Sequence, residues 1–418
     1  MAKKENRHAE HFDKLSASLV SASANIDAPY ELPEGWEWCR LPECVSIVTG
    51  KKDANYGTPD GKYLFFTCAE QPLRCDDYSF EGESLLLPGN GANVGQVIYY
   101  DGQFEVYQRT YILQKIIESF SLKYLYYHIL GFWENYNHDK QYGSATNYIK
   151  MGNFLNYIFP LPPTLAEQQR IVNRIETMFA KLDEAKEKAQ NVVDSFETRK
   201  AAILHKAFTG QLKIDNEELS IEDWEEKKLG EVCESIFDGD HMPPPKAESG
   251  IPFLVISNVN TGFLSFDNTR YVPNDYYDSL SETRKPKTGD VLYTIVGSYG
   301  IPVLVDSDRA FCFQRHMALL KPSKLISSRY LWYVLQSNEM YQKATSIATG
   351  TAQLTVPIKG LRDLTISVPP LNYQLSIVNF LDTVLEKETR AKEAAQTVLE
   401  QIALLKKSIL ARAFRGEL

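Results

Sequence analysis

The sequence of 418 residues lacks the features that mark several common classes of protein. Its longest apolar runs, such as YLYYHIL at 124–130, are far too short to cross a bilayer. Glu5, Glu10 and His11 interrupt the apolar core that a secretory signal needs, so we expect a cytoplasmic protein without a membrane span. The six cysteines form no C-x-x-C pair and the seven histidines do not cluster with them, which favours reduced, mostly buried thiols over a zinc site.

Signatures of catalysis are also missing. The chain has no G-x-S-x-G, no Walker loop, no H-E-x-x-H and no tetrapeptide of the N-P-P-Y kind. The segment GNGANVG at 89–95 has the spacing G-x-G-x-x-x-G, and the strand-like QVIYYD follows it. We therefore interpret it as a tight turn between strands and not as a phosphate cradle. The sequence predicts no catalytic residue, no metal site and no cofactor in this chain.

The basic excess that is usual in nucleic-acid-binding proteins is absent as well. Lysine and arginine number 45 against 54 aspartates and glutamates, which gives a net charge of -9. A protein that depends on phosphate contacts usually has the opposite balance. Any binding of nucleic acid must therefore depend on local groups of residues and not on the net charge.

What the sequence does contain is an internal repeat. AFTGQL at 207–212 returns as AFRGEL at 413–418, which gives an offset of 206 between residues 207 and 413. Self-similarity at a fixed spacing decides architecture before any local pattern does. Each half also opens on a tryptophan, Trp36 or Trp224, so the chain holds two copies of one plan. Further pairs at nearly the same offset are YQRTYIL at 107–113 with FQRHMAL at 313–319, YLYY at 124–127 with YLWY at 330–333, and PLPPTLAEQQRIV at 160–172 with SVPPLNYQLSIV at 367–378.

A heptad pattern of apolar residues closes each half. The spacings alternate between four and three, with a break at Arg199 in the first half and at Glu388 in the second. This alternation is typical of a coiled-coil seam, and the two breaks carry charges of opposite sign. The predicted seam residues are Ile171, Ile175, Met178, Leu182, Ala185, Ala189, Val192, Phe196, Ile377, Leu381, Val384, Ala391, Ala395, Val398, Ile402 and Leu405.

The heptad pattern favours two helices that pack along this seam. If they lie antiparallel, Ala185 and Ala189 can face Ala391 and Ala395, where small side chains allow the backbones to approach closely. The alternative is two unrelated amphipathic helices, each lying on its own domain. A surface helix normally has a broader apolar stripe, and about 44 residues is long for one domain to cover.

Prolines and glycines predict where these helices begin and end. PLPP and VPP precede the two helices, since proline is tolerated at a helix entrance, and the glycines of AFTGQL and AFRGEL are typical C-terminal caps. Short strand-like runs such as KYLFFTCAE and DVLYTIVG alternate with turn residues before each helix, and one helix containing YLYY or YLWY follows them. We expect a mixed, largely β domain before each long helix.

This ordered double set of motifs resembles the DNA specificity subunit of type I restriction-modification systems, from about Tyr30 to Leu418. The resemblance implies an α/β (mixed α+β) fold with two similar target recognition domains containing twisted β-sheets. Two long antiparallel coiled-coil helices would join them in a pseudo-two-fold repeat. The expected boundaries are an N-terminal extension at 1–28, target recognition domain 1 at 29–163, a central spacer helix at 164–212, target recognition domain 2 at 213–370 and a C-terminal spacer helix at 371–418.

The resemblance also implies a function without catalysis in this chain. In the family each domain reads one half of a split site in double-stranded DNA. The subunit joins two methyltransferase subunits, which bind S-adenosylmethionine and contact the spacer helices. The larger complex also contains two restriction and translocation subunits that use ATP and Mg. The assembled complex would be a DNA adenine methyltransferase and an ATP-dependent endonuclease.

The residues by themselves agree with this role. A helix of about 44 residues spans about 65 Å, comparable with about 19 base pairs, so the helices could set the distance between half-sites. The two domains have different loops, which predicts an asymmetric target. The alternative is a bivalent coiled-coil scaffold that binds proteins without reading DNA, and the negative net charge favours it.

Two loops in each domain are the main candidates for DNA contact, because they combine turn chemistry with hydrogen-bonding side chains and match loops that approach DNA in the family. They are 49–57 and 141–150 in the first domain and 237–246 and 347–356 in the second. Lysines there could pair with phosphates and the other side chains could meet base edges, with glycines allowing close approach. The alternative is ordinary solvated turns. Secondary contacts are expected from GNGANVG at 89–95 and its counterpart VGSYG at 296–300, which we call the Gly-rich turns. The candidates are Lys51, Lys52, Asn55, Tyr56, Asn90, Asn93, Tyr142, Ser144, Thr146, Asn147, Lys150, Asp240, His241, Lys246, Ser298, Tyr299, Thr349, Thr351 and Gln353.

A Gln-Arg pair recurs between apolar residues in both halves. Gln108 and Arg109 match Gln314 and Arg315 at the offset of 206. We expect each pair to be buried and hydrogen-bonded within a strand, because buried polar groups need partners. A phosphate contact from the arginine is the second interpretation.

Overall fold

The computed structural model of the chain describes residues 28–143, 147–214, 217–218, 221–239 and 244–418. These residues divide into two compact units. The described residues up to Ala189 form the first unit together with Thr397–Leu418, and Gln190–Gln396 form the second. The end of the chain therefore belongs to the first unit, although it follows the second domain in sequence.

The first unit contains ten strands and most of the first long helix. Its helices are α1 (Leu41–Cys44), α2 (Leu122–Asn137), α3 (Met151–Leu155) and α4 (Leu165–Asp194). Its strands are β1 (Glu37–Arg40), β2 (Val45–Thr49), β3 (Tyr63–Phe66), β4 (Leu73–Cys75), β5 (Phe80–Glu81), β6 (Ser84–Pro88), β7 (Ile98–Tyr100), β8 (Gln103–Val106), β9 (Thr110–Lys115) and β10 (Ile158–Leu161).

The second unit has more elements. Its helices are α5 (Phe196–Phe208), α6 (Leu229–Val232), α7 (Asn274–Ser279), α8 (Ser328–Leu335), α9 (Asn338–Ile347), α10 (Ile358–Asp363) and most of α11 (Leu371–Ala413). Its strands are β11 (Lys213–Ile214), β12 (Glu217–Glu218), β13 (Glu225–Lys228), β14 (Cys233–Asp238), β15 (Ile251–Leu254), β16 (Arg270–Val272), β17 (Val291–Thr294), β18 (Pro302–Leu304), β19 (Cys312–Phe313), β20 (Met317–Pro322) and β21 (Thr365–Val368).

The sheets of the two units repeat one topology. The order β2-β9-β6-β7 in the first unit corresponds to β14-β20-β17-β18 in the second, and the pair β1-β10 corresponds to β13-β21. Two further sheets, β4-β3-β8-β5 and β16-β15-β19, each contain a parallel pair of strands beside an antiparallel pair, and β11 pairs with β12 in a two-stranded sheet. The mixed α/β fold and the internal repeat predicted from the sequence are confirmed.

Equivalent hydrogen bonds tie the YL.Y helix to the sheet in both units. The Tyr124 hydroxyl donates to the Pro160 carbonyl at 2.8 Å, and the Tyr330 hydroxyl donates to the Ser367 carbonyl at 2.9 Å. Both tyrosines are fully buried, so each hydroxyl needs a partner inside the domain. The repeated YL.Y motif therefore marks a repeated buried contact.

The two long helices run antiparallel within the first unit. The Lys406 ammonium lies 2.5 Å from the Asp183 carboxylate, and the Arg170 guanidinium donates to the Leu418 carbonyl at 2.8 Å. Residue numbers rise along α4 as they fall along α11, which defines the opposite direction.

The same direction holds within the second unit. The Arg199 guanidinium lies 2.7 Å from the Glu388 carboxylate, so the two charged breaks in the heptad pattern form an ion pair. Lys392, one turn along α11, places its ammonium 4.4 Å from the centre of the Phe196 ring. The complementary breaks predicted from the sequence are confirmed.

The seam of α11 differs from its prediction in three places. Among the predicted seam residues, Ala391, Val398 and Leu405 are exposed, and Val398 and Leu405 are 38% and 50% accessible. The half-buried positions are instead Lys392, Leu399 and Lys406. The two lysines cover Phe196 and Phe179 while their ammonium groups reach water or an ion pair, since a long aliphatic stem can pack as an apolar residue. A pattern counted on apolar residue types alone misses these positions.

The first heptad segment is two helices, not the single helix expected at 164–212. Ser195 separates α4 from α5, although hydrogen bonds continue through it from Ser195 N–H to Asn191 O at 3.1 Å and from Arg199 N–H to Ser195 O at 2.9 Å. The Ser195 hydroxyl donates to the Asn191 carbonyl and accepts from the Arg199 guanidinium. A serine that bonds to the preceding turn tends to bend a helix, which accounts for the interruption.

AFTGQL and AFRGEL end their helices with the same cap. The glycines have φ of +70° and +73°, and the next N–H donates to the carbonyl five residues back, Gln211 to Lys206 and Glu417 to Arg412, each at 3.0 Å. This is the Schellman arrangement, in which glycine adopts the left-handed conformation at low cost. The predicted C-terminal caps are confirmed.

The phenylalanine of each cap packs against a YL.Y helix. Phe414 is fully buried in the first unit, where its ring centre lies 5.1 Å from Tyr124 and 4.8 Å from His128. Phe208 lies in the second unit, 5.5 Å from Tyr330. The helix that follows each domain therefore ends in the core of the other unit, and the arrangement in which each helix lies only on its own domain is wrong.

His128 is the one fully buried histidine among the described residues. It stacks on Phe132 at 4.7 Å, and its Nδ1 lies 2.9 Å from the Tyr157 hydroxyl. Burial lowers the pKa of His128 from 6.5 to about 3. The imidazole is therefore neutral in the folded unit at pH 7.

This buried histidine predicts that acid destabilises the first unit. A group whose pKa is lowered by folding gives its full stabilisation above its unfolded pKa near 6.5 and loses it as the pH falls towards 3. The free energy of unfolding should fall by up to about 1.4 kcal/mol per pH unit in this window because of His128. Urea unfolding at several pH values should show this slope reduced in His128→Gln. His138→Gln is the matched control, since that ring lies in solvent, and an equal slope in the two variants would contradict the assignment.

Candidate nucleic-acid interface

A β-turn lies at the centre of the candidate interface in each unit. In the first unit β8 ends at Val106, and the Thr110 N–H closes the turn on the Tyr107 carbonyl at 2.9 Å. In the second unit the Met317 N–H closes the equivalent turn on Gln314 at 3.1 Å. Because strands leave each turn on both sides, the side chains at its tip are held on a fixed backbone.

The expectation that the Gln-Arg pairs are buried is wrong. Gln108, Arg109 and Arg315 are exposed at the turn tips, and only Gln314 is half-buried. The strands stop before these residues, so their polar side chains do not have to be buried. The apolar residues on both sides had given the appearance of one continuous strand.

The Gln-Arg pairs are also not structurally equivalent. The Gly89 N–H donates to the Arg109 carbonyl at 2.9 Å, and the matching bond in the second unit runs from Ile295 to His316 at 2.9 Å. The backbone register therefore relates residues 109 and 316, an offset of 207 and not 206. Arg109 corresponds to His316, and Gln108 corresponds to Arg315.

The described residues 142–143 and 147–150 lie against the Gly-rich turn of the first unit, and residues 349–355 lie against that of the second. Tyr142 and Tyr148 exchange two backbone hydrogen bonds of 2.9 Å, and the Gly91 N–H donates to the Asn147 carbonyl at 2.8 Å. The same pattern in the second unit joins Thr349 to Thr355, and Gly297 donates to Leu354 at 2.9 Å. Two segments that are far apart in sequence thus meet beside the β-turn in each unit.

The loop after β2 lies on the other side of the turn. The Gln108 N–H donates to the Lys52 carbonyl and its amide donates to the Asp53 carboxylate, both at 2.9 Å. A Cβ added to Gly50 would overlap the Val106 carbonyl, so this glycine is needed for the close approach. Gly239 has the same relation to Phe313 in the second unit. The close approach that we expected at these glycines is made to the turn of their own domain.

Aromatic and cationic side chains lie together in the first unit. Tyr142 and Tyr148 stack at 5.6 Å, with the Lys150 ammonium 4.1 Å from the Tyr142 ring. Lys52 lies 4.0 Å from the Tyr56 ring, and its hydrogen bond to Tyr56 raises the pKa of the lysine. Lys51 directly precedes Lys52 in the chain and is exposed. Arg109 is exposed at the tip of the β-turn. The cluster is locally basic although the whole chain is acidic.

A small pocket opens beside the β-turn in each unit. The pocket of the first unit has a volume of about 370 Å³ and is lined by Asn90, Tyr107, Arg109 and Tyr148. That of the second unit has a volume of about 420 Å³. Its lining residues are Asp238, Ile295, Val296, Arg315, His316, Gln353, Thr355, Val356, Pro357 and Ile358. We call these the first-unit pocket and the second-unit pocket.

The two pockets share a backbone and differ in side chains. A backbone bridge joins Asn90 to Tyr148 in the first unit, and the equivalent bridge joins Val296 to Thr355 in the second. Asn90 therefore corresponds to Val296, and Tyr148 corresponds to Thr355. In the second-unit pocket, burial and the neighbouring Arg315 lower the pKa of His316. The imidazole is therefore neutral at pH 7, unlike the guanidinium at the corresponding position.

The structure does not bring every candidate residue to these pockets. The Asn93 amide donates to the Cys68 carbonyl at 2.8 Å, and Tyr299 is buried with its hydroxyl 3.0 Å from Thr345. Asn55 is exposed in a separate groove with Arg74. Ser298, Thr349 and Thr351 are exposed on their loops outside the pockets, whereas Gln353 is exposed and lines the second-unit pocket.

A few candidates have other positions. Lys246 is exposed next to the bridge between Ala247 and Tyr271, beside strand β16. Ser144, Thr146, Asp240 and His241 lie outside the described residues. Residues that the sequence did not single out as DNA contacts are Tyr107, Tyr148 and His316. In both halves a Gln-Arg pair follows the Gly-rich turn. This recurrence was the sequence signal that could have indicated the β-turn at the centre of the candidate interface.

No helix in the described part of the chain combines the length and apolar character needed to cross a membrane. Comparison with known families identifies the repeat directly. The chain matches the type I restriction modification DNA specificity domain twice, over residues 33–194 and 221–401. These two matches together cover most of the chain and coincide with the two copies described above.

Individual relatives agree with the family match. The chain is 24% identical over 412 residues to the type I restriction enzyme EcoDI specificity subunit of Escherichia coli, which covers 93% of this chain and 90% of that protein. It is 25% identical over 400 residues to the type I restriction enzyme MjaVIII specificity subunit of Methanocaldococcus jannaschii, covering 89% and 92%.

Solved structures share the fold. A chain from a study of complex assembly and conformational transition of the type I R-M system aligns with a TM-score of 0.72 at 21% identity, covering 93% of this chain and all of that one. The HsdS subunit from Thermoanaerobacter tengcongensis aligns with a TM-score of 0.60 at 21% identity, covering 94% and 100%. With a duplicated domain, paired long helices and a family match over both copies, the chain belongs to the type I restriction-modification DNA specificity subunits, the non-catalytic components of these enzymes.

Proposed function

We propose that this chain reads a bipartite, asymmetric site in double-stranded DNA, one half with each unit. The observation that carries the proposal is the pair of pockets, which have the same backbone frame and different side chains. Equivalent frames would present each set of side chains to DNA in the same way, while unlike side chains would select unlike bases.

The electrostatics of the first unit support DNA as the ligand. Exposed Arg109 lines the first-unit pocket, and Lys51, Lys52 and Lys150 lie on the two segments that flank its turn. These four cations outnumber the carboxylates of Asp53 and Asp77 in and beside the same loops. Lysines at the rim would neutralise phosphates, and groups in the pocket would meet base edges. The negative net charge of the chain does not prevent this, because exposed charges are screened beyond about 10 Å at ordinary salt.

The long helices would set the distance between the half-sites. Helix α11 has 43 residues, which corresponds to about 65 Å at 1.5 Å per residue. The catalytic chemistry would come from partners, with two methyltransferase subunits binding S-adenosylmethionine and two restriction subunits using ATP and Mg. The names of the relatives, type I restriction enzyme specificity subunits, support such an assembly.

The test is to map methylated bases by single-molecule sequencing in cells that express this chain with its methyltransferase partner. We expect one motif with two unlike specified halves separated by unspecified bases. Absence of sequence enrichment would reject DNA reading and favour the bivalent protein scaffold. A palindromic motif would reject the asymmetric site.

A groove in the second unit is the surface that we propose for a methyltransferase partner. It has a volume of about 850 Å³ and lies between α11, represented by Leu385, and the segment around Phe263, which is 68% exposed. Trp332 adds a second aromatic ring, and burial lowers the pKa of Lys200 at the edge. Aromatic residues and arginines, here with Arg329 and Arg390 in the lining, are enriched at the energetic centre of interfaces.

Phe263→Asp should therefore weaken binding of the methyltransferase subunit. Loss of an aromatic anchor in an interface commonly costs more than about 1 kcal/mol, so we expect the affinity to fall at least about 5-fold in a calorimetric titration. Folding should be unaffected, because the ring is largely in solvent. Leu325→Asp is the matched control, since that side chain is 54% exposed in the same unit and does not line the groove. Equal affinities for the two variants would remove the groove from the proposal.

A further inference from the structure

The central turn of the first unit offers one cation without a protein partner. Arg109 is exposed, and its guanidinium has no hydrogen bond or ion pair to any residue in the described ranges. Its backbone is fixed, because its carbonyl accepts from Gly89 at 2.9 Å and from the Cys68 thiol at 3.5 Å. A fixed backbone that carries an unpaired guanidinium is suited to an external acceptor.

The surroundings of Arg109 separate it from the lysines. It lines the first-unit pocket with Asn90, Tyr107 and Tyr148, whereas Lys51, Lys52 and Lys150 do not line that pocket. A lysine ammonium is a point charge suited to phosphate, and a guanidinium is a planar fork with two parallel donors. The geometry thus assigns different tasks to the rim and the centre.

The fork of an arginine matches one base edge in the major groove. Guanine presents O6 and N7 as adjacent acceptors, and a bidentate arginine is the commonest specific contact to it. Asn90 adds an amide that can donate and accept beside the same position. The two tyrosines of the pocket provide walls that limit where a base edge can lie.

The corresponding residue of the second unit cannot make this contact. His316 has the same backbone bond as Arg109, from Ile295 at 2.9 Å, and is half-buried in the second-unit pocket. A neutral imidazole has one donor and one acceptor and forms no fork. The two positions therefore select bases by different chemistry.

We propose that Arg109 and His316 are the equivalent specificity-determining residues of the two units, and that Arg109 reads a guanine in the half-site of the first unit. This rests on the proposed function, since both residues act only if the units read DNA. The Gln-Arg repeat aligns Arg109 with Arg315, whereas the backbone hydrogen bonds align Arg109 with His316, one residue further along the chain. The sequence alone therefore does not reveal this correspondence.

The experiment compares methylation maps of cells that express the methyltransferase partner with the unaltered chain, Arg109→Ala, Arg109→Lys or His316→Ala. For Arg109→Ala we expect one guanine of one half-site to become unspecified and methylation of the original motif to fall about 10- to 100-fold, with the other half unchanged. Arg109→Lys should not restore the guanine, because it keeps the charge and loses the fork. His316→Ala should relax a position in the other half only.

The outcomes separate the two levels of the argument. If the unaltered chain gives no bipartite motif, the proposed function fails. If the motif exists but Arg109→Ala weakens methylation equally at all sequences and Arg109→Lys restores it, Arg109 contacts phosphate and the inference fails. An unchanged motif in Arg109→Ala would also overturn it. Thermal unfolding of each purified variant should match the unaltered chain, since both residues lie at turns.

Discussion

Replacing Phe414 with alanine should lower the free energy of unfolding of the first unit by about 3–5 kcal/mol, the usual cost of deleting a buried phenylalanine ring. The ring is fully buried and contacts Tyr124, His128 and Phe132 of α2 at 5.1, 4.8 and 5.9 Å between ring centres. The Phe414 carbonyl also accepts from the Tyr30 hydroxyl at 2.9 Å. The last residues of the chain thus complete a core built mainly from its first half.

The measurement is urea unfolding combined with hydrogen exchange of α2, whose amides should lose protection. Leu404→Ala is the matched control, because Leu404 lies on the same helix and is 67% exposed. Its effect should remain within about 0.5 kcal/mol. A loss in Phe414→Ala no larger than in this control would contradict the packing described here.

Replacing Gln374 with leucine should destabilise the second unit by roughly 3 kcal/mol, because it leaves buried polar groups without partners. The Gln374 side chain is fully buried and accepts from the Ser327 N–H at 2.8 Å. Its amide donates to the carbonyls of Leu325 at 3.0 Å and Pro369 at 2.9 Å. One side chain therefore fastens the start of α11 to the entrance of α8.

Gln396→Leu provides the matched control for this substitution, since Gln396 is exposed on the same helix and in the same unit. The free energies of unfolding of the two variants, measured with urea, should differ by most of the roughly 3 kcal/mol predicted for Gln374→Leu. Gln168 makes the equivalent bond to the Ser121 N–H at 2.8 Å, so Gln168→Leu should destabilise the first unit in the same way. Equal stability of Gln374→Leu and Gln396→Leu would show that these bonds contribute little.

The glutamines show how far a sequence motif can be interpreted. PP followed by Q and IV recurs at both helix entrances and marks where each helix begins. The pattern does not say why glutamine is required. The serine whose N–H each glutamine accepts lies 47 residues away along the chain, and only the folded structure brings the two residues into contact.

The candidate interface depended more strongly on tertiary structure. The loops at 49–57 and 141–150 were identifiable because turn residues and glycines cluster there. Arg109 was assigned to a buried strand, since the apolar residues on both sides of it gave no sign that the strand was interrupted. The turn that the Thr110 N–H closes on the Tyr107 carbonyl places Arg109 at an exposed tip instead.

By itself the sequence determined the duplicated plan, the starts and caps of the long helices and the opposite charges of the breaks at Arg199 and Glu388, because these follow from periodic or local signals. Only the tertiary structure decided which unit receives the end of each helix, which lysines replace apolar residues in the seam, and that Arg109 corresponds to His316. Those features depend on contacts between distant segments, and in a strand or turn a shift of one residue changes which side chain faces the site.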